Sequence, residues 1–552
     1  MRAAIATIAM TSILAGCAGI PDSGPVERVS APGTRTHSTV RYEPARPRPG
    51  ATPQQIVHGY VDAMLAYPEA TGIVQSYLTP NAASAWKSTA GMVVYSQVSS
   101  KLRDVDGDLA EVSLQAHRML TVDQAGRASV QGGNAQYTLR LERSAGEWRV
   151  ANPVPGYVVS RRFADDYLRS FPLWFFDASG RRLVPELVHS VVNEQLPLVL
   201  TRRLADGPQE GVLRTYLPGP DNLHVTVTGR IVQVDVRGSG TRNSDEITAQ
   251  LLSTLRGASG LDGVRILFNG VPEGDVHPID AVVGFGPGRP GSHVYGVRGN
   301  RVVDVDGERI RSVAGPWGRS AQNAVGVAVD SATIAAVQGP RTSVVIGARR
   351  GGDLSRIEGV EFADPVWDGD HRLWLVDNPG DIRIRVIKDG ETRTVDSAVL
   401  QSGELPVQSL RISPDDSRYA VVVRAGKQAA VEVGAIERDV DGAPTRLLRP
   451  QVVSRGMTGE QNVGWASQTR VEFIADGRFG PQLYSAGLDG ADRHGGSRRQ
   501  SLRGGVTMWA GSPVDRADRW ALDSRGRLWR RTSGGPWHLR HRDALLTVSN
   551  GR

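Results

Sequence analysis

Residues 173–186 read LWFFDASGRRLVPE, and this stretch decides the fold of the middle of the chain. Four apolar residues lead into a polar turn at Gly180, and a second apolar run returns from it. Such a pattern predicts a β-hairpin. Working outward from it, the chain alternates strand-like and helix-like segments as far as residue 277.

The segments that follow the hairpin predict two helices and three more strands. Asn193 is a candidate N-cap for a helix with Pro197 in its first turn, and Asn243 with Glu246 would form a capping box for the next helix. A hairpin turns at Gly229-Arg230, and a last strand covers 264–268. The order ββαββαβ predicts a compact α+β domain at residues 161–277, called region 2.

Region 1, at residues 51–160, begins with a strong helix-start signal. Thr52 can cap the helix, Pro53 occupies its first position and Gln55 its third. The apolar period then changes to two, as in Ala110, Val112, Leu114 and Ala116, which favours antiparallel strands. Helices followed by a meander predict an α+β domain, and the order is similar to the NTF2-like cone fold.

Region 3, at residues 278–552, repeats itself. Turn-and-strand blocks start at Val325, Pro365, Val407, Val463 and Val506, with spacings close to the 40–45 residues of a four-stranded propeller blade. The longest interval holds a predicted insertion at 438–459. These repeats predict an all-β propeller of about six blades, with residues 281–285 as a strand that completes the last blade.

The first residues have the shape of an export signal. Met1-Arg2 is followed by a short apolar stretch that ends in Leu14, Ala15, Gly16 and Cys17. This ending resembles the bacterial lipoprotein signal, which implies cleavage after residue 16, a diacylglycerol on the Cys17 thiol and acylation of the new N-terminus. Residues 17–50 are rich in Pro, Gly, Ser and Arg and predict a flexible tether.

Composition excludes several classes of protein. The 552 residues are 40% hydrophobic and 22% charged, which excludes a mainly disordered chain. A single cysteine excludes a disulfide framework and a Cys-based zinc site. No run of about 18 apolar residues follows residue 16, so we expect no membrane-spanning helix.

The formal net charge is +7, and residues 498–552 carry 12 Arg against 4 Asp. This segment is either a patch for an acidic protein or anionic polymer, or a solvated Arg-rich surface. Nucleic acid is excluded as a partner by the export signal.

Region 2 resembles the GerMN domain of spore-germination proteins and actinobacterial envelope lipoproteins. The motifs that carry the resemblance are Phe175-Phe176-Asp177, Leu183-Val184-Pro185-Glu186, Leu204-Ala205-Asp206-Gly207-Pro208, Tyr216-Leu217-Pro218, Val234-Asp235-Val236 and Val264-Arg265-Ile266. The chain departs from the pattern at Leu187-Val188-His189, where many members carry a basic residue. None of these motifs supplies a catalytic group.

The order of signal, tether, α+β domain, GerMN and propeller resembles the LpqB lipoprotein family of actinobacteria. The resemblance implies a lipid-anchored protein on the extracytoplasmic face of the cell membrane. It also implies a partner, the ectodomain of the MtrB sensor histidine kinase. The implied role is to modulate the MtrA–MtrB two-component system, with effects on cell-wall homeostasis and division.

The sequence offers little for catalysis. It has no Gly-x-Ser-x-Gly elbow and no Walker loop, and the acidic runs at 104–108 and 304–308 lack the other ligands of a calcium loop. We therefore predict no catalytic residues, no metal and no cofactor. The alternatives are a cell-wall polymer-binding protein, or a propeller-based metal-dependent hydrolase or lactonase. The hydrolase would need side chains such as Asp364, Asp368 and Asp370 to converge on the propeller axis.

Overall fold

The computed structural model describes residues 44–66, 71–130, 132–238, 243–286, 293–306, 309–378, 380–401, 406–425, 428–478, 480–495, 506–511, 519–532, 535–542, 545 and 547–550. Residues 44–552 form one compact unit. A search of the described residues finds no helix with the length and apolar character needed to cross a membrane.

Region 1 is a sheet with helices packed against it, and the helix at 161–167 packs with this core although region 2 was predicted to begin at residue 161. Its helices are α1 (Pro53–Ala63), α2 (Thr71–Ser76), α3 (Pro80–Ala85) and α4 (Arg161–Tyr167), and its strands are β1 (Met92–Asp106), β2 (Leu109–Val122), β3 (Ala128–Ser129), β4 (Gly133–Ser144), β5 (Glu147–Val150) and β6 (Tyr157–Ser160). The strand order is β5-β4-β2-β1-β6, with β6 parallel to β1. The predicted α+β class is confirmed, whereas the NTF2-like comparison stays a prediction.

The start of α1 forms through the local contacts that the sequence predicted. Thr52 Oγ1 accepts from Gln55 N, and Gln55 Oε1 accepts from Thr52 N, so the predicted capping box forms. Ile56, Val57 and Tyr60 then face the core of region 1, where each is at most 1% exposed.

Region 2 has two sheets around a shared core. Its strands are β7 (Leu168–Asp177), β8 (Leu183–Val191), β9 (Leu213–Arg214), β10 (Leu223–Thr228), β11 (Ile231–Val236), β12 (Gly263–Phe268), β13 (Val271–Pro272) and β14 (His277–Pro278), and its helices are α5 (Leu196–Ala205) and α6 (Ser244–Leu255). One sheet has the order β8-β7-β9, and β10-β11-β12-β13 forms the other, in which β11 and β12 are parallel. Apolar side chains of α5 and α6 pack with both sheets.

Both predicted caps in region 2 are wrong in detail. Asn243 precedes α6 with φ −136° and ψ 36°, outside the extended conformation of a typical N-cap, and its side chain makes no capping bond. Helix α5 begins after Gln195, two residues later than predicted, while Asn193 Oδ1 accepts from Gln195 N in a turn before it.

Region 3 consists of six antiparallel sheets within the described residues. Its strands are β15 (Val294–Arg298), β16 (Arg301–Asp306), β17 (Arg309–Ser312), β18 (Ala324–Val329), β19 (Thr333–Gln338), β20 (Ser343–Ala348), β21 (Leu354–Glu358), β22 (Val366–Trp367), β23 (Leu373–Asp377), β24 (Arg383–Lys388), β25 (Glu391–Val395), β26 (Val407–Ile412), β27 (Arg418–Ala425), β28 (Gln428–Arg438), β29 (Pro444–Leu447), β30 (Gln451–Val452), β31 (Val463–Ser467), β32 (Arg470–Gly477), β33 (Gly480–Gly487), β34 (Arg493–Gly495), β35 (Val506–Gly511), β36 (Arg519–Asp523), β37 (Leu528–Arg531), β38 (His538–His541) and β39 (Thr547–Asn550). One short helix, α7 (Ala398–Gln401), precedes β26.

The six sheets close into a ring. Strands β39, β18, β22, β26, β31 and β35 each begin one sheet, and each contacts the next around the circle until β35 meets β39 again. This arrangement is that of a β-propeller. Part of the predicted insertion at 438–459 is ordered as β29 and β30, which both pair with β28.

The predicted closing strand at residues 281–285 is wrong. These residues form no strand, and β39 at the C-terminal end pairs with β15 instead. Residues 281–285 belong to region 2: Leu183 N donates to Phe285 O, and the Phe285 ring packs edge-on against Phe176 at 5.0 Å.

Candidate functional site

The predicted lipidation site lies outside the described residues. Leu14, Ala15, Gly16 and Cys17 all precede residue 44. The last part of the predicted tether is described and bonded to region 1, since Ala45 O accepts from Tyr77 Oη at 2.9 Å and Gly50 N donates to Glu147.

The three carboxylates of the hydrolase alternative each have a structural partner. Asp364 pairs with Arg341 at 3.0 Å. Asp368 is 1% exposed and accepts from the Trp374 indole at 3.1 Å. Asp370 pairs with Arg372 and with Arg182 of region 2. Within the described part of the chain, no group of three His, Cys, Asp or Glu residues could hold a metal ion.

A recurring turn explains the position of Asp368. Its Oδ1 accepts from the backbone N–H groups of Asp370 and Arg372, and Oδ2 accepts from Trp374 Nε1. Asp523 makes the same three bonds with Arg525, Arg527 and Trp529. Both segments read Asp-x₃-Arg-Leu-Trp, so these acids hold hairpin turns together.

Region 2 docks on one face of the propeller through Arg182. Asp177 begins the turn after β7 and accepts from the N–H groups of Arg181 and Arg182, which fixes the start of β8. The Arg182 guanidinium then reaches two turns of region 3. It bonds Asp370 between β22 and β23, and its Nη1 lies 3.3 Å from Asp416 Oδ2 between β26 and β27.

Burial and charge oppose each other at Asp370. Burial alone would raise the pKa of this carboxyl group, but the hydrogen bond from Arg372 and the charge of Arg182 lower the pKa below its usual value. Asp416 is 2% exposed and accepts from Gly369 N at 2.7 Å, and Arg182 places a positive charge beside its buried carboxylate.

A second charged contact lies beside the first. Arg418 is 3% exposed, and its Nη2 lies 3.0 Å from Glu210 Oε1 of region 2. Glu186 accepts from the backbone N–H groups of Gln209 and Glu210. Burial, and then the charge of Glu210, raise the pKa of Glu186 against the effect of those bonds.

His189 connects all three regions. Its backbone N–H donates to Gly126 O of region 1 at 2.6 Å, and its backbone carbonyl accepts from the Arg203 side chain of α5. Its Nε2 lies 2.7 Å from Asp489 Oδ2 in the turn between β33 and β34. Gly126 has φ +85°, and a Cβ there would lie 3.0 Å from His189 O and closer still to Arg203, so the contact requires glycine.

Two cavities flank this junction. One of about 490 Å³ is lined by all three regions and includes Arg127, Glu186, Glu210, Arg418, Arg449 and Asp489. The other, of about 700 Å³, lies on the His189 side, between β1, β2 and α4 of region 1 and the turn at 490–493. Sequence reasoning predicted neither cavity, because their walls come from residues up to about 400 positions apart. The departure from the GerMN pattern at His189 was the one sequence signal near them.

Four described arginines of the last sheet are engaged within region 3. Arg519 pairs with Glu472 at 2.7 Å and Arg527 with Asp523 at 2.7 Å. Arg530 and Arg531 lie over the rings of Trp520 and Trp537. These four arginines are therefore not part of a purely solvated Arg-rich surface, which was one of the two predicted alternatives.

Known family models match each of the three regions, in the same order along the chain. Residues 46–165 match the model of the lipoprotein LpqB N-terminal domain, 172–274 that of sporulation and spore germination, and 300–537 that of the lipoprotein LpqB beta-propeller domain.

Curated relatives of similar length match most of the chain. Lipoprotein LpqB of Cutibacterium acnes is 25% identical, with 83% of this chain and 84% of the relative covered. The LpqB of Nocardia farcinica is 26% identical over 88% and 87%, and that of Streptomyces avermitilis is 24% identical over 98% and 96%.

Among solved structures, a putative TolB from Agrobacterium tumefaciens is 12% identical with a TM-score of 0.31, covering 46% of this chain and 89% of that one. The first GerMN domain of the sporulation protein GerM from Bacillus subtilis is 17% identical with a TM-score of 0.17, covering 20% and 92%. These scores are too low to support an argument, and the fold stands on the strand pairing described above.

Two of the three matching models describe domains of one lipoprotein family, and together they cover well over half of the residues. The relatives carry the same name and align over most of their length. The chain therefore belongs to the LpqB lipoprotein family, with a GerMN-type domain between its N-terminal domain and its β-propeller.

Proposed function

We propose that this protein is a non-catalytic accessory lipoprotein, anchored through Cys17 to the extracytoplasmic face of the cell membrane. It binds the ectodomain of an MtrB-like sensor histidine kinase and thereby modulates the MtrA–MtrB system, with effects on cell-wall homeostasis and division. The proposed domain boundaries are those of the tether (17–50) and regions 1, 2 and 3.

The observation that carries the proposal is the joining of the three regions into one unit by buried polar contacts. Arg182, His189 and Arg418 each bridge region 2 to the propeller. The acids that a hydrolase would use take part in these contacts, in a turn or in an ion pair within the propeller. A compact, multi-domain unit suits a binding platform. Anionic cell-wall polymer receives less support, because four described arginines of the last sheet have partners within the propeller.

The energetic demand on such a platform is small. A protein shifts a partner's equilibrium only by its difference in affinity for the partner's two states. A preference of about 1.4 kcal/mol changes the ratio of kinase states tenfold. One well-placed contact between this protein and the kinase ectodomain is enough.

The anchor is tested by Cys17→Ser. We expect this variant to appear in the culture medium, because each buried CH₂ of an acyl chain contributes about 0.8 kcal/mol and stable anchoring needs at least two chains. Cell fractionation with immunoblotting measures the distribution. Ser23→Ala, in the tether, is the matched control and should stay with the membrane; equal membrane retention of Cys17→Ser would refute the lipid anchor.

The partner is tested by co-purification. We expect the full chain in detergent to retain the kinase ectodomain equally well with and without a metal chelator, and not to retain the ectodomain of an unrelated sensor kinase. Failure to retain the MtrB-like ectodomain would contradict the proposed partner. Chelator-sensitive hydrolytic turnover by the purified chain would contradict the non-catalytic role.

A further inference from the structure

The 490 Å³ cavity at the junction of the three regions has the size of a small-molecule site. Apolar side chains from two regions, among them Leu187, Leu448 and Leu488, form part of its lining. Ligand sites occur preferentially at such domain interfaces. The charged groups in its wall decide which chemistry it would accept.

One part of the wall is rich in carboxylates. Glu186 and Glu210 of region 2 share the charge of one buried guanidinium, that of Arg418, on which Asp415 of the propeller also acts. Among the described residues, the Arg418 guanidinium forms its ion pair with Glu210. Glu186 is 9% exposed and has backbone N–H groups as its hydrogen-bond donors. Two acids against one base leave this side able to bind an ammonium group.

The Arg418 guanidinium makes fewer hydrogen bonds than its donors allow. Arg418 Nη1 has no acceptor among the described residues, although the side chain is 3% exposed and lines the cavity. A buried donor without an acceptor costs free energy, and a bound group that supplies the acceptor recovers it.

The propeller side of the wall carries Arg449. This residue is exposed, follows β29, and has no ion-pair partner in the described ranges. The other charged groups of the wall are already paired: Arg127 with Asp123, and Asp489 with His189. Arg449 is thus the group on this side that a carboxylate ligand would meet.

The second cavity offers no comparable set. This cavity is larger, but its charged groups already have partners. Arg161 pairs with Asp165, Asp492 pairs with Arg470, and Arg493 donates to the carbonyl of Arg455. Of the two junction cavities, the smaller one therefore offers the better set of charged groups for a ligand.

We propose that the junction cavity binds a small zwitterion, such as a free amino acid or the end of a short peptide. Its ammonium group meets Glu186 and Glu210, its carboxylate meets Arg449 and Arg418, and its apolar part lies against the leucines. Because all three regions form the wall, occupancy stabilises the docked arrangement of the regions. The inference is independent of the kinase partner.

The test uses isothermal titration calorimetry on the full chain in detergent with dialanine as the probe. Two blocked forms of the probe separate the charges: acetyl-dialanine lacks the ammonium group, and dialanine amide lacks the carboxylate. We expect dialanine to bind and each blocked form to bind at least about tenfold more weakly, since each lacks one charged hydrogen-bonding group. Absence of dialanine binding, or equal binding of all three, overturns the proposal.

Two variants locate the site. Arg449→Ala should reduce the preference for dialanine over its amide while keeping the preference over acetyl-dialanine, and Glu186→Gln should do the reverse. Arg449 is exposed, so this variant is expected to fold. Arg301→Ala, an exposed arginine in β16 outside the cavity wall, is the matched control and should bind as the wild type does. Unchanged selectivity in both cavity variants would place any binding elsewhere.

Discussion

Ending the chain after residue 546 is expected to destabilise the propeller by more than about 4 kcal/mol, which exceeds the effect of most single substitutions. This truncation removes β39, which pairs with β15 at four positions, from Val294↔Asn550 to Val297↔Thr547. It also removes the strand that lies between β35 and β18 in the ring. The loss therefore opens the ring as well as one sheet.

An open ring has a second consequence. Without β39, β15 presents unpaired N–H and C=O groups, and such edges recruit strands from other chains. Size-exclusion chromatography should show oligomers, and thermal unfolding should begin at a lower temperature. The control is a chain that ends after residue 550 and keeps β39. Unfolding of the two truncated chains within about 2 °C of each other, both as monomers, would show that the ring does not depend on this strand.

The misassigned closing strand shows a limit of sequence reasoning. Residues 281–285 (AVVGF), with two valines and a phenylalanine, suit a strand better by composition than residues 547–550 (TVSN), so local composition favours the wrong segment. The difference arises from partners far away: Phe285 packs against Phe176, whereas β39 joins a strand about 250 residues earlier. The repeats predicted a propeller because each sheet is local, but closure is a long-range contact.

Helix starts show the opposite case. The capping box of α1 involves Thr52 and Gln55 alone, so the sequence predicted it correctly. The same reasoning failed at Asn243, because a cap also requires extended backbone at that residue, and the residue names do not fix the backbone.

The structural role of Asp368 could have been predicted from the sequence. The repeat Asp-x₃-Arg-Leu-Trp at 368–374 and 523–529 is visible in the sequence and marks Asp368 as a turn residue. The partners of Asp370 and Asp416 could not be predicted, because Arg182 lies about 190 and 230 residues away in another region. Bonds within a short segment can be predicted from the sequence, whereas contacts between regions cannot.

Replacing Arg182 by Met is expected to lower the free energy of unfolding by about 3 kcal/mol at neutral pH. The long apolar side chain fills much of the same space but leaves Asp416, which is 2% exposed, without the opposite charge that lies 3.3 Å away. Removing one member of a buried ion pair is strongly destabilising because the remaining charge stays buried. Chemical unfolding, with limited proteolysis at the boundary between regions 2 and 3, measures the effect.

Arg181→Met is the matched control, since Arg181 is the neighbouring arginine and is exposed. Its guanidinium reaches a backbone oxygen, Asp441 O, at 3.5 Å, and we expect a change of at most about 0.5 kcal/mol. Equal stability of the two variants would mean that Arg182 contributes no more than a surface residue does. The double variant Arg182→Met with Asp416→Asn should recover part of the loss, because it also removes the uncompensated carboxylate.

The pH dependence gives an independent check of the same contact. The pKa of Asp370 is lowered in the folded protein, so its ionisation favours folding above the unfolded pKa of about 4. That contribution is lost as the pH falls through the lower, folded value. The stability difference between wild type and Arg182→Met should therefore be constant near neutrality and shrink below about pH 4. A difference that stays constant down to acid unfolding would show that Arg182 stabilises the interface by packing and not by charge.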